Sequence, residues 1–559
     1  LFPGATNPAI ATTASDGTLY IVEPSGTLRI RHEVPDDRFG LLAPLVQETV
    51  RTPSGKEMVI ARTRTATYGS DPLDPAGWTE EVDINGRVYT TTYTDGPTTG
   101  TWVTTSPEGR KQRRLVNPVT GTLGERALLD AAGTSTVDTP VSYIYDSDGR
   151  LTTITEGART TTKGYHGTEG WLQTVTESLT TTTLQTTTYA RDGMWRPTQV
   201  THPDNNAVVQ TWDDNGNLTS LTPPGKPAHT FGYDDLDRRT SYDPPDLDPA
   251  PNQFRTLWAM DADRRLDNLT DPTFGLLDYQ YDTQGRLSAT VGPSGTRTYS
   301  YDGATGQLSG ILTPFGTGTL NLTFGYDGHL PTTSTWTAQG SSNDYLGSVE
   351  LEYDDNFWVK LERVSDGTNV SEIAYEYDDD GLPIAVGRPA SVDPQTKTCL
   401  TSATDCMTLL WDPDTGRLDS TSIGVVTDGF TFSAAGEIAS YEAKGSGSPV
   451  FGYTIDERDH RGRIVQKTET VQGTTTVFKY EYDAAGRLWK VYEGPTVPSL
   501  ALTHTYGYDA NGNRLSHVTP TKSITDGTYD DQDRILTYDG WTYAHNARAD
   551  IVGRAKGTD

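Results

Sequence analysis

The 559-residue chain carries 45 Lys and Arg against 75 Asp and Glu, for a formal charge of −30 and a pI near 4.6, so its average surface repels a phosphate backbone and nucleic acid is excluded as a partner. Only 34% of residues are hydrophobic, yet 29 tyrosines, 11 tryptophans and long threonine tracts suit a half-buried pleated surface, which points to strands rather than disorder. With 56 glycines and 33 prolines, turn signals come too often for sustained helical periodicity, and no apolar run is long enough to cross a bilayer as a helix.

The chain opens at Leu1 without a charged and apolar leader, so any signal peptide is expected to lie upstream or to have been removed. Residues 1–140 contain strand-turn units at Ala11–Leu19, Asp83–Arg87 and Thr105–Arg110, and read as a β-rich lead-in. From residue 141 to 559 one pattern recurs: an aromatic residue, Asp, two variable residues, Gly, Arg or Asn, and Leu. Its clearest copies begin at Tyr145, Tyr281, Tyr482 and Tyr508. They run Tyr145-Asp146-x-x-Gly149-Arg150, Tyr281-Asp282-x-x-Gly285-Arg286, Tyr482-Asp483-x-x-Gly486-Arg487 and Tyr508-Asp509-x-x-Gly512-Asn513.

Weaker copies fill the intervals, at Tyr189, Trp212, Tyr233, Met260, Tyr301, Tyr326, Tyr353, Tyr377, Trp411, Phe432, Arg458 and Tyr529. The period, roughly 20 to 27 residues, is that of two strands and two turns, and about sixteen units result.

Within a unit, Asp is expected to accept backbone N–H bonds two or three residues on, and Gly to supply positive φ; the motif is a hairpin turn. The following segment Arg487-Leu488-Trp489-Lys490-Val491 alternates only in part. Leucine and tyrosine fall on one face, where stacked units build tyrosine ladders worth about 0.2–1 kcal/mol per cross-strand pair. A single hairpin is not stable alone, so units must add edge to edge. The expectation is an all-β protein, more than about 45% strand and under about 5% helix. Its antiparallel sheet of about thirty strands cannot stay flat and must curl into a spiral, tube or hollow shell.

These motifs, together with Thr211-Trp212-Asp213-Asp214-Asn215-Gly216-Asn217-Leu218, Arg458-Asp459-His460-Arg461-Gly462-Arg463 and Thr528-Tyr529-Asp530-Asp531-Gln532-Asp533-Arg534, resemble the bacterial RHS (rearrangement hot spot) or YD-repeat family. That family also includes insecticidal toxin-complex shells and the extracellular end of teneurins. The resemblance extends from about Val141 to the C-terminus and is looser before it. It implies a hollow cocoon of spiralling sheet that, in toxin systems, encloses a C-terminal effector and carries an Asp-Pro-x-Gly segment and an aspartate-dependent self-cleavage site at the end of the shell. A look-alike, Asp271-Pro272-Thr273-Phe274-Gly275, lies inside a repeat and is read as a turn.

Chemistry is sparse. There is no nucleophile elbow, phosphate loop, Cys-x-x-Cys or zinc-binding His-Glu-x-x-His, so no catalytic, cofactor or metal residue is assigned. Acidic turns such as Asp146-Ser147-Asp148, Asp213-Asp214-Asn215, Asp378-Asp379-Asp380 and Asp412-Pro413-Asp414 lack the distant glutamate of a calcium loop and are read as turns. Cys399 and Cys406 either close a local disulfide or remain two thiols, depending on export.

The leading functional expectation is a non-enzymatic, secreted or cell-surface shell that encapsulates or displays a flanking polypeptide of its own, such as a polymorphic toxin. The alternative is an adhesin or fibre that binds surface glycans, neighbouring cells or other copies of itself.

Overall fold

A computed structural model describes residues 6–37, 39–69, 75–247, 254–340, 346–401 and 403–557. Strands make up 60% of it, and the only helical pieces among the described residues are two three-residue 3-10 turns, Pro389–Ser391 and Val497–Ser499. Of the 49 strands among the described residues, 43 join one antiparallel sheet, with a four-stranded sheet at Thr528–Lys556 and a small ribbon at Val392–Cys399. The expectation of about thirty strands undercounts, partly because the first 140 residues contribute ten strands to the same sheet.

The chain divides into two compact units. One comprises Leu1–Tyr143, Tyr281–Ala289 and Gly295–Pro449, the other Ile144–Gln280, Thr290–Ser294 and Val450–Asp559. In both, each strand pairs mainly with its sequence neighbours, as tandem hairpins dictate. Full burial is therefore scarce: most strand residues are half-buried on both faces, and Val50, Leu129 and Thr27 are the largest fully buried side chains.

The hairpin at Tyr482 shows how the motif makes its turn. The Asp483 N–H donates to the Arg487 carbonyl at 2.9 Å and the Gly486 N–H to the Asp483 carbonyl at 3.0 Å, with Gly486 at φ +88°. This is a three-residue loop formed by a type I turn and a left-handed residue, which requires glycine or strain at that position. Beyond it, Tyr482 pairs with Leu488 but Glu481 pairs with Lys490, so Trp489 is an extra, bulged residue. That bulge is the physical reason why alternation fails at Trp489. The same slip occurs directly ahead of the motif aromatic at Thr211/Trp212, Gly232/Tyr233, Ser300/Tyr301, Glu352/Tyr353, Glu376/Tyr377 and Gly507/Tyr508. One bulge per repeat adds right-handed twist at regular intervals, which a long sheet needs in order to bend.

Several repeats place another residue at the left-handed position: Trp195 (φ 67°), Asp237 (φ 59°), Arg264 (φ 65°), Phe357 (φ 64°) and Asp533 (φ 60°). Trp195 is 56% exposed, and its N–H donates to the Asp192 carbonyl at 2.9 Å as a glycine's would. Trp195→Gly is expected to raise stability by about 0.5–1 kcal/mol, the relieved left-handed strain less the added chain entropy. Gly216→Ala, at φ 95°, should lower it by at least as much. Denaturant midpoints for the two variants check the pair; a destabilised Trp195→Gly would show that the indole packs against something.

Cys399 and Cys406 are joined by a disulfide with their Cα atoms 5.7 Å apart. It ties the small ribbon to the strand Cys406–Trp411 beside a buried cluster of Ala385, Val392 and Cys406. Gly387 is required there, because a Cβ would lie 2.7 Å from the Cys406 Cα.

Candidate functional site

The chemistry-bearing residues of this chain sit in a periodic clasp along the rows of hairpin turns. Tyr145, Tyr281, Tyr482 and Tyr508 each end a strand directly ahead of their turn. Gly149, Gly285, Gly486 and Gly512 all adopt positive φ, between 79° and 96°. The aspartates do more than hold a turn. Asp146 Oδ1 accepts the backbone N–H of Asp148 at 3.0 Å and of Arg150 at 2.9 Å, while Oδ2 accepts the Arg150 Nε at 2.7 Å. The acceptance therefore reaches two and four residues on, rather than the two or three expected.

The Asp–Arg pair recurs, with Nε–Oδ2 distances of 2.7 Å, at Asp282–Arg286, Asp459–Arg463 and Asp483–Arg487. In the copy beginning at Tyr508, Asn513 replaces arginine and donates to Asp509 at 2.9 Å.

The tyrosines link one repeat to the last. The Tyr165 hydroxyl donates to the Leu151 carbonyl at 2.7 Å, and its ring lies 4.9 Å from the Arg150 guanidinium. Tyr301 does the same with Leu287 (2.9 Å) and Arg286 (4.3 Å), Tyr482 with Ile464 (2.7 Å) and Arg463 (4.2 Å), and Tyr508 with Leu488 (2.8 Å) and Arg487 (4.9 Å). Trp212 and Trp411 substitute an indole N–H, donating to the Pro197 and Pro383 carbonyls at 2.7 and 2.8 Å. A hydroxyl or indole donor on an aromatic body is what this position selects, since the ring covers a cation while its tip satisfies a carbonyl at the bulge.

A second arrangement was not legible in the motif. Within each unit, two lengths of sheet meet turn to turn. In the first unit Arg110 donates to Asp378 at 3.0 Å and pairs with Asp380, Asn85 donates to the Asp355 carbonyl at 2.9 Å, and Arg417 grips Asp138. In the second, Gln185 donates to the Ala484 carbonyl at 2.8 Å, Arg461 to Gln185 at 2.7 Å, and Lys226 to the Asp530 carbonyl at 2.6 Å.

These seam partners lie 268 to 304 residues apart in sequence in either unit. A signal for them existed. Arg110 has Ser106 where the motif has Asp, and Arg417 follows its Asp412 by five residues instead of four, so each guanidinium is released from its own turn to reach across.

Among the described residues no three His, Cys, Asp or Glu side chains gather as a metal site. Asp271, in the Asp-Pro-x-x-Gly stretch Asp271–Gly275, accepts the N–H groups of Thr273 and Phe274 at 2.9 Å each, the geometry of a turn.

Hydrogen bonding tunes the clasp aspartates. The backbone N–H of Arg150 holds the Asp146 carboxyl below its usual range, the Asn217 side chain does so for Asp213, and the Arg238 side chain for Asp234. Burial lowers His229, His329, His517 and His545. For both groups the unfolded chain binds more protons than the folded one as pH falls, so stability drops with acid. The denaturant midpoint is expected to fall in two steps. The first begins below the ordinary histidine value of 6.5, the second below the ordinary aspartate value of 3.8 as the clasps protonate. A midpoint that rises between pH 6.5 and pH 3 would contradict this assignment.

Comparison with known proteins agrees with this geometry. Residues 134–555, well over half of the chain, match the family model "Teneurin YD-shell". Among solved structures, a crystal structure of TcdB2-TccC3-TEV matches 99% of this chain and 30% of its own, at 13% identity and a TM-score of 0.50. One of TcdB2-TccC3-Cdc42 matches 95% of this chain and 30% of its own, at 13% identity and a TM-score of 0.52. The chain thus spans less than a third of the length of those structures, and the likeness is one of fold. No curated protein matches the sequence. A tandem array of tyrosine-aspartate hairpins, zipped by aromatic donors and matched over most of its length by one family model, identifies the chain as a member of the teneurin YD-shell family.

Proposed function

We propose that this YD-shell protein is a wall that encloses or displays a polypeptide attached to it, such as a toxin domain, and that it works outside the cell without catalysis of its own. The observation that carries the reading is the seam. Within each unit, polar side chains at the turns bind a second length of sheet at a near-constant interval, an arrangement that joins two lengths of sheet along their rows of turns into one surface. In this reading residues 1–140 lead into the wall and 141–559 form its repeat region. The names of the similar structures, in which TcdB2 and TccC3 are joined to TEV or to Cdc42, support a role as a carrier.

The test is protection. A reporter polypeptide joined after residue 559 is expected to resist protease while the wall is folded and to be cut once denaturant unfolds it. A reporter cleaved as fast as the free polypeptide would overturn enclosure.

A further inference from the structure

On one face of the strands His229–Tyr233, Arg239–Asp243, Thr256–Met260 and Leu266–Asp271 lies a cavity of about 530 Å³, within the ordinary range for a small-ligand site. Its floor is aromatic. Phe231 stacks on Tyr242 at 5.5 Å, and Trp258 lies beside them with the Arg239 guanidinium 4.8 Å from its ring. At the end near the hairpin turn that follows Asn546, Asp271 pairs with Arg548 at 3.2 Å. Asp271 is only 6% exposed, and both residues line the cavity.

Arg239 is the unexplained member. Its neighbour Arg238 is clasped by Asp234 in the motif's way, but the Arg239 guanidinium lies over the rings of Trp258 and Phe231 and has no carboxylate partner among the described residues. In a chain with 75 acidic residues against 45 basic ones, a guanidinium held over two rings with no anion among the described residues is open to one from a ligand. Burial pushes the His229 pKa down, and its Nδ1 lies 2.8 Å from the Tyr242 hydroxyl. Arg239 and Arg548 against Asp271 therefore leave one positive charge.

We infer that this cavity binds a carboxylated sugar of the hexuronic acid class, its carboxylate on the Arg239 fork, its apolar ring face on Trp258 and Phe231, and its hydroxyls toward Asp271 and Arg548. A peptide suits the cavity less well. The central strands Arg239–Asp243 and Thr256–Met260 are paired on both sides, so no free edge exists for an incoming main chain. A neutral sugar would leave Arg239 unpaired and gain nothing from it.

Calorimetric titration of the full chain with methyl β-glucuronide and methyl β-glucoside, which differ only at the carboxylate, tests this. The glucuronide is expected to bind at least about tenfold more tightly, and Arg239→Gln to remove that margin. Since a variant can unfold, the wild-type chain supplies a second measurement: glucuronide, but not glucoside, should protect Arg239 from phenylglyoxal modification. Equal binding of the two sugars, undiminished glucuronide binding by Arg239→Gln, or no protection of Arg239 overturns the site. Tighter binding of a tripeptide with a free carboxyl terminus overturns the sugar assignment.

Discussion

Tyr353→Ala is expected to destabilise the protein by about 3–4 kcal/mol, and Tyr353→Phe by about 1 kcal/mol. Tyr353 is among the most buried of the motif tyrosines, at 7% exposure, and its hydroxyl donates to the Pro331 carbonyl at 2.7 Å. Alanine removes a ring that the surrounding strands cannot replace, because a sheet with few fully buried side chains has little to collapse into the gap. Phenylalanine keeps the ring and removes one donor, which leaves a carbonyl at a bulged strand without its partner. The difference separates packing from hydrogen bonding at the clasp. Urea unfolding of both variants, with protease susceptibility between residues 331 and 353 as a local readout, checks it. Equal losses for the two variants would show that the hydroxyl dominates, and losses below about 1 kcal/mol for both would show that the clasp is ornamental.

Arg110→Ala is expected to cost about 3 kcal/mol, because it strands two carboxylates that are mostly withdrawn from water. Asp378 and Asp380 side chains are 10% and 12% exposed, and Arg110 itself 15%. Ser106 and the Glu108 N–H also donate to Asp380, at 2.7 and 3.1 Å, but neither carries charge. The loss should be eased in the Arg110→Ala, Asp380→Asn double variant, since half of the stranded charge is gone. Arg110→Lys should rescue only part, because one ammonium cannot address both carboxylates as a planar fork does. Thermal unfolding of the four proteins measures the coupling. A loss below about 0.5 kcal/mol in Arg110→Ala would place this pair with ordinary surface ion pairs.

What could be read in the sequence follows from what the residues do locally. Asp483 and Gly486 dictate a turn within five residues, so the hairpins, their period and the all-β class were legible. The bulge was visible only as a fault, the failed alternation at Trp489, because the pairing that defines it belongs to the partner strand. The tyrosine clasp was half legible. Recurring Tyr482 and Tyr508 announced a ladder, but their acceptors are the backbone carbonyls of Ile464 and Leu488, and a carbonyl carries no residue signature. The seam was hidden in its pairings, since nothing in Gln185 names Ala484. Only the misplaced arginines Arg110 and Arg417 hinted that some turns bond elsewhere.

The interval between seam partners sets a rule for how such a chain can change length. Each seam bond counts residues along the chain between its two turns, like teeth on two wheels that must stay in phase. Removing one repeat between Arg110 and Asp378, such as Tyr281–Ser300, moves every later turn one tooth out of mesh with its partner. Adding one does the same in the other direction. Repeat arrays that touch only their neighbours can gain or lose a unit almost anywhere. Here the bookkeeping is global, so lineages should vary in loop tips and at the ends of the array while the number of hairpins between meshing turns stays fixed.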